Sequence, residues 1–300
     1  MSTRIEWVDI AKGIGIILVV IGHMVKGNGI VGQSIWAFHM PLFFFLSGMF
    51  MRPTELFISL IAKKARQLLL PCLSFSIIIA AVHYFLMGDN NAFENLTKHL
   101  PDTCWFLTTL FLTSLWSALL LRLVNQWIAI MICLILALIC QILSIPTDFS
   151  LSSTFVASVF YISGYSFVES KAQMGGGIYI VFILFPVVVY SFNVHTALNE
   201  NDFSLVGLVS AYLGILQVII ISQTLSKIKG DKLRRGLVFM GRNSLVVMLT
   251  HMLFISIYCY FVHIDNTLVF KSLQFAFVFT MSILSVYIFK SRLKVLLGKF

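Results

Sequence analysis

The chain has 300 residues, 59% of them hydrophobic and 11% charged, with a mean hydropathy of +0.96. These values exclude an ordinary soluble domain and point to a polytopic membrane protein whose principal surroundings are the lipid bilayer. A net charge of +9 invites a nucleic-acid reading, yet in a membrane protein what matters is which segments carry the charges, and no nucleic-acid partner is expected.

A bilayer crossing takes about 20 mostly apolar residues, and the polar breaks divide the chain into ten predicted helices: 13–31, 35–51, 69–87, 104–122, 126–144, 153–168, 177–193, 204–222, 244–262 and 267–289. The expected fold is an all-α integral membrane protein, with one polytopic domain over residues 1–300. If the N-terminus is cytoplasmic, the inner segments hold 18 of the 21 Lys and Arg, including Lys63, Lys64, Arg66, Arg122, Arg234, Arg235 and Arg242. The outer segments keep Lys26, Lys98 and Lys271 together with seven of the twelve acids. The positive-inside rule then puts both termini in the cytoplasm.

The first apolar stretch follows charged residues, but no small-residue cleavage site comes after it, so it reads as a retained span rather than a signal peptide. Neither a repeat of fixed period nor a low-complexity tract is present. Cys72, Cys104, Cys133, Cys140 and Cys259 lack the paired spacing of a disulfide framework or a zinc site. They read as packing residues, and no metal is expected. The run GNGIVG at residues 27–32 satisfies a dinucleotide-binding pattern, which has meaning only between a strand and a helix; here it reads as an outer-side turn. The sequon at Asn95 would matter only in a eukaryotic secretory pathway.

Polar groups within spans carry more information, because burying an ionisable side chain in a bilayer is costly. Lys12 and His23 are eleven residues apart, close to three helical turns, so they share a face about 16 Å apart along the axis. Asp9, three residues before Lys12, lies on the same face. One stripe of the first helix thus runs carboxylate, ammonium, imidazole, and Asp9, Lys12 and His23 are the expected catalytic residues. The alternative is that Asp9 and Lys12 are interfacial anchors and His23 bonds a neighbouring helix. The second span reads FHMPLFFFLSGMF over residues 38–50. His39 precedes Pro41, which frees a backbone carbonyl, and Ser47-Gly48 forms a small pair that permits close helix approach.

WVDIAKGIGIILVVIGH at 7–23 followed by FHMPLFFFLSG at 38–48 resembles the opening of the membrane-bound acyltransferase-3 family, particularly its fucose 4-O-acetylase-like branch. KKARQLLLP at 63–71, WFL at 105–107 and GRNSLVVMLTH at 241–251 agree with it in order. The resemblance implies ten spans with both termini inside, in a bacterial inner membrane. It also implies transfer of an acyl group, usually acetyl from cytoplasmic acetyl-CoA, to a hydroxyl of a cell-surface glycan or lipid-linked saccharide. The family signature Arg-x10-His falls on Lys12 and His23, with His23 as the catalytic group. Three positions depart from the family pattern: Lys12 replaces Arg, Gln67 stands where Arg is common with Arg66 one step earlier, and Met248 stands where related chains often have Tyr. Ser244 and His251 match.

A histidine base suits transfer to a sugar hydroxyl, because an alcohol is a poor nucleophile until its proton begins to leave. Direct attack and a transient acyl-histidine are both open. Lys63, Lys64, Arg66 and Arg242 are expected to hold the phosphates of the donor, although the positive-inside rule alone would also put cations there. His39, Ser47, Trp105, Ser244 and His251 are expected to line the acceptor path, Trp105 by stacking on sugar. The competing reading is a transporter or flippase for a glycolipid, which would use buried polar groups and broken helices for movement without chemistry.

Overall fold

A computed structural model describes residues 5–25, 29–98, 104–143, 151–169, 181–192, 204–228, 230, 232–291 and 293–298. Among the described residues the regular elements are all helical. Seven are long and apolar enough to cross a bilayer: Glu6–Val25 (α1), Gly29–Gly48 (α2), the continuous run Phe57–Met87, Cys104–Leu123 (α6), Leu205–Lys227 (α10), Ser244–Phe261 (α12) and Thr267–Ser291 (α13). The predicted segments 126–144, 153–168 and 177–193 are helical as Gln126–Ile142 (α7), Leu151–Glu169 (α8) and Val181–Phe192 (α9), with residues 144, 177–180 and 193 outside the described residues.

Three predicted segments shift. The first helix runs Glu6–Val25 rather than 13–31, and residues 29–32 of the expected outer-side turn are helical. The second helix begins at Gly29, six residues before the expected start, on a residue with φ +67°, a left-handed conformation that glycine adopts without steric cost. The third predicted helix, 69–87, is the end of a longer one. Phe57–Lys64 (α3) continues through a π turn at Ala65–Leu69 into Leu70–Met87 (α4). Pro71 has no N–H to donate, and just before it the helix widens so that the Leu70 N–H reaches Ala65 O.

The chain divides into two compact units, Met1–Phe57 with Leu112–Arg242 and Ile58–Phe111 with Asn243–Phe300. In the first, glycines let helix backbones approach closely, as small residues do in membrane bundles. A Cβ on Gly13 would collide with the carbonyl of Leu237, and one on Gly241 with that of Asp9, which locks α1 against the helix Lys232–Arg242 (α11). Gly48 and Gly164 act reciprocally, each lying on a carbonyl of the other's helix, at Tyr161 and Phe45, and so join α2 to α8. Alongside these, Leu42, Phe44, Leu46, Phe160, Ile215 and Ile219 are fully buried.

In the second unit, Phe75 of α4 meets Phe289 of α13 with ring centroids 4.6 Å apart and planes tilted by 35°. The Ser76 hydroxyl donates to Cys72 O at 2.8 Å and meets Cys104 Sγ at 3.2 Å. Gly298, at φ +67°, lies directly under the carbonyl of Arg66, where a Cβ would collide.

Candidate functional site

The N-terminal end of α1 is held by charge. Asp9 is buried, and its carboxylate accepts from Arg242 Nε at 3.1 Å. One turn earlier Glu6 pairs with Arg234 at 2.5 Å. Both cations belong to α11, whose residues 232–242 form an amphipathic helix, so two ion pairs and two glycine contacts fasten the same pair of helices. Lys12 places its ammonium 5.3 Å from the centre of the Phe50 ring, at the edge of the distance range for cation–π attraction. The loop carrying Phe50 is anchored in turn by Arg122. That guanidinium donates to Pro53 O at 2.8 Å and to Glu55 O, and it lies 5.2 Å over the Phe57 ring.

The other end of the helix is assembled from rings. His23 is half-buried and meets Trp36 edge-on, with centroids 6.0 Å apart. Trp36 meets His39 at 6.2 Å. His39 is buried, and its Nδ1 lies 2.8 Å from Ile35 O. A carbonyl only accepts, so Nδ1 carries the hydrogen, and in the neutral ring Nε2 is the acceptor. Pro41 lies one turn beyond Ala37, and having no N–H it leaves the Ala37 carbonyl without its usual helical donor. Ser47 is half-buried on α2, next to the Gly48 contact.

The structure therefore gathers Asp9 with Arg242 at one end of α1, and His23 with His39 at the other. Asp9 and His23 are fourteen residues apart, about 21 Å along the axis. The Asp9 carboxylate holds α11 and does not reach the imidazole. The remaining predicted residues lie in the second unit. Lys63 and Lys64 close α3, and Arg66 is exposed on the π turn. Trp105 is half-buried at the start of α6, and its carbonyl accepts from the Thr108 hydroxyl at 2.9 Å. Ser244 opens α12. His251 is buried on the same helix, with Nδ1 3.1 Å from Val247 O. Among the described residues no group of three or more His, Cys, Asp or Glu is arranged to hold a metal ion.

Sequence reasoning passed over Trp36, Phe50 and the Glu6–Arg234 pair. A signal for Trp36 was present: it stands three residues before His39, and a glycine immediately precedes His23, the combination needed for a large ring to lie against the first helix. Phe50 and Arg234 carried no such signal, because their partners come from distant parts of the chain.

Two curated relatives are similar over part of the chain, both of them nodulation protein NolL. The protein from Sinorhizobium fredii is 32% identical over 158 residues, covering 46% of this chain and 43% of the relative. The one from Mesorhizobium japonicum is 28% identical over 189 residues, covering 57% and 50%. The chain thus matches about half the length of these relatives. No solved structure matches it. Residues 5–290 match the family described as an acyltransferase domain, and with its membrane-spanning helices and the Lys12 to His23 spacing on α1, the chain belongs to the membrane-bound acyltransferase-3 family.

Proposed function

We propose that the protein is an O-acetyltransferase of a bacterial inner membrane, with both termini in the cytoplasm. It takes acetyl from cytoplasmic acetyl-CoA and gives it to a hydroxyl of a cell-surface glycan or lipid-linked saccharide. One observation carries this reading: Lys12 and His23 share a face of α1 about 16 Å apart. The arm from the CoA diphosphate to its sulfur is a chain of about thirteen bonds, equivalent to a little over four extended residues, and reaches about 15 Å. A diphosphate held at the N-terminal end of α1 therefore delivers its thioester to the imidazole.

In this reading Lys12 attracts the phosphates as a point charge, without the two-pronged grip of an arginine. Half-exposed Arg242 adds positive charge, and Lys63, Lys64 and Arg66 are likewise proposed as donor-binding cations. His23 accepts the proton of the acceptor hydroxyl as its oxygen forms a bond to the acetyl carbon. The carbon–sulfur bond breaks, and the proton passes from the imidazolium to the departing thiolate. Such a base contributes about 10²–10⁴ in rate. His39, Ser47, Trp105, Ser244 and His251 are proposed to guide the acceptor.

Calorimetric titration of detergent-purified protein with acetyl-CoA and CoA tests the donor side without knowledge of the acceptor. Saturable binding, weakened by Lys12→Ala and by Arg66→Ala, is expected. Absence of binding to folded protein would overturn the reading.

A further inference from the structure

Trp36 contacts both imidazoles near the C-terminal end of α1, and a hydrogen bond fixes its place. Its Nε1–H donates to the carbonyl of Gly22 at 3.2 Å, the residue immediately before His23. The indole plane stands at 60° to the ring of His23 and at 55° to that of His39. Gly22 makes the room: a Cβ there would stand 3.1 Å from Trp36 Nε1 and 3.0 Å from Ile35 Cγ2. Glycine in a helix interior is less stable than alanine. Its presence at this buried position thus marks a close approach by another side chain.

A histidine base has a particular need for such a neighbour. Rotation of the ring about χ2 is broad and nearly two-fold, and its two nitrogens are chemically distinct. An unrestrained imidazole therefore spends much of its time with the wrong atom toward the substrate. For His39 the bond to Ile35 O removes that ambiguity. For His23 the edge-on indole supplies a wall, itself tied to the backbone of the same helix turn.

We propose that Trp36 is a positioning residue of the transfer site, held by Gly22 so that its ring keeps His23 in the orientation from which it takes the acceptor's proton. The proposal rests on the transferase reading for the reaction, and on the geometry alone for the restraint. It commits Gly22 and Trp36 to a single device, so their substitutions are coupled.

Two readouts test it on the full-length protein in native membranes, with His23→Ala membranes as the blank. The first is thiol release from acetyl-CoA. Trp36→Leu is expected to lower kcat by about tenfold or more, the scale of small misplacements of a reacting group, with KM for acetyl-CoA unchanged. Trp36→Phe, which keeps a ring but loses the N–H, is expected to fall between Trp36→Leu and wild type. Gly22→Ala, favourable for the helix itself, is expected to slow release through the indole, and adding it to Trp36→Leu to cost little more. The second readout is the rate at which diethyl pyrocarbonate modifies His23, followed by mass spectrometry. It is expected to rise as the ring is released, opposite to kcat, with the buried His251 as internal control, since unfolding raises modification of both residues and release of the ring raises that of His23 alone. If kcat per folded protein and the modification rate both stay within about twofold of wild type in all three single variants, the inference is overturned. If wild-type membranes release no more thiol than the blank, the transferase reading fails, and the modification rate still decides whether Trp36 restrains His23.

Discussion

The two ends of α1 are built from different materials. At its N-terminal end, Glu6 and Asp9 meet Arg234 and Arg242 of α11, and Gly13 and Gly241 let the two backbones touch. At its C-terminal end, His23 stands against an indole that also meets a second imidazole, and the hydrogen bonds go to backbone carbonyls. Where the helix starts, the two ion pairs serve assembly while Lys12 and half-exposed Arg242 belong to the proposed donor site, and the proposed transfer chemistry lies with the rings where it ends. One helix can serve both purposes because the uncharged residues 13–22, about 15 Å of helix, separate them.

Substitutions at each end sharpen this contrast. His23→Ala should have the largest effect, a loss of about 10²–10⁴ in transfer rate with little change in Tm, since the imidazole is half-buried. Activity near wild type in the folded variant would remove His23 from the mechanism. Gly241→Ala should act at the opposite end and in the opposite sense. It forces a side chain into the carbonyl of Asp9 and is expected to destabilise the protein by about 1–3 kcal/mol, visible as a lower Tm in detergent.

The Asp9–Arg242 pair gives a smaller effect with an asymmetry. Arg242→Ala removes a charge partner from a buried carboxylate, whereas Asp9→Ala leaves a guanidinium that is 46% exposed and accessible to water. The first should cost about 2 kcal/mol and the second about 1, both below the range for a fully buried pair because of that exposure. The double variant should resemble Asp9→Ala, and thermal denaturation of the three proteins checks the order. Glu6→Gln should matter least, at less than about 1 kcal/mol, because Glu6 is 43% exposed. A large loss of transfer in Glu6→Gln or Asp9→Ala at unchanged Tm would break the division of labour between the two ends.

Much of this arrangement was legible in the amino-acid order. Spans show themselves by length and apolarity; ten were expected, and among the described residues seven helices meet both conditions. The face shared by Asp9, Lys12 and His23 follows from helical periodicity, which operates within one element. Helix starts were less legible: Gly29 and the π turn before Pro71 depend on single backbone conformations that hydropathy averages over. Partnerships were least legible of all. Asp9 and Arg242 are 233 residues apart in the chain, and nothing local to either marks the other.

The sequence by itself determined that this is a helical membrane protein, that a cation and an imidazole lie on one face of its first helix, and that its motifs are those of an acyltransferase family. Each of these is set by composition or by spacing inside one segment, where geometry is fixed by the helix repeat. Only the tertiary structure decided that the Asp9 carboxylate is taken up by α11, that Phe50 lies beneath Lys12, and that Trp36 stands against His23. Those outcomes depend on which helices pack together and where glycines allow them to touch, a property of the assembled chain that no single segment carries.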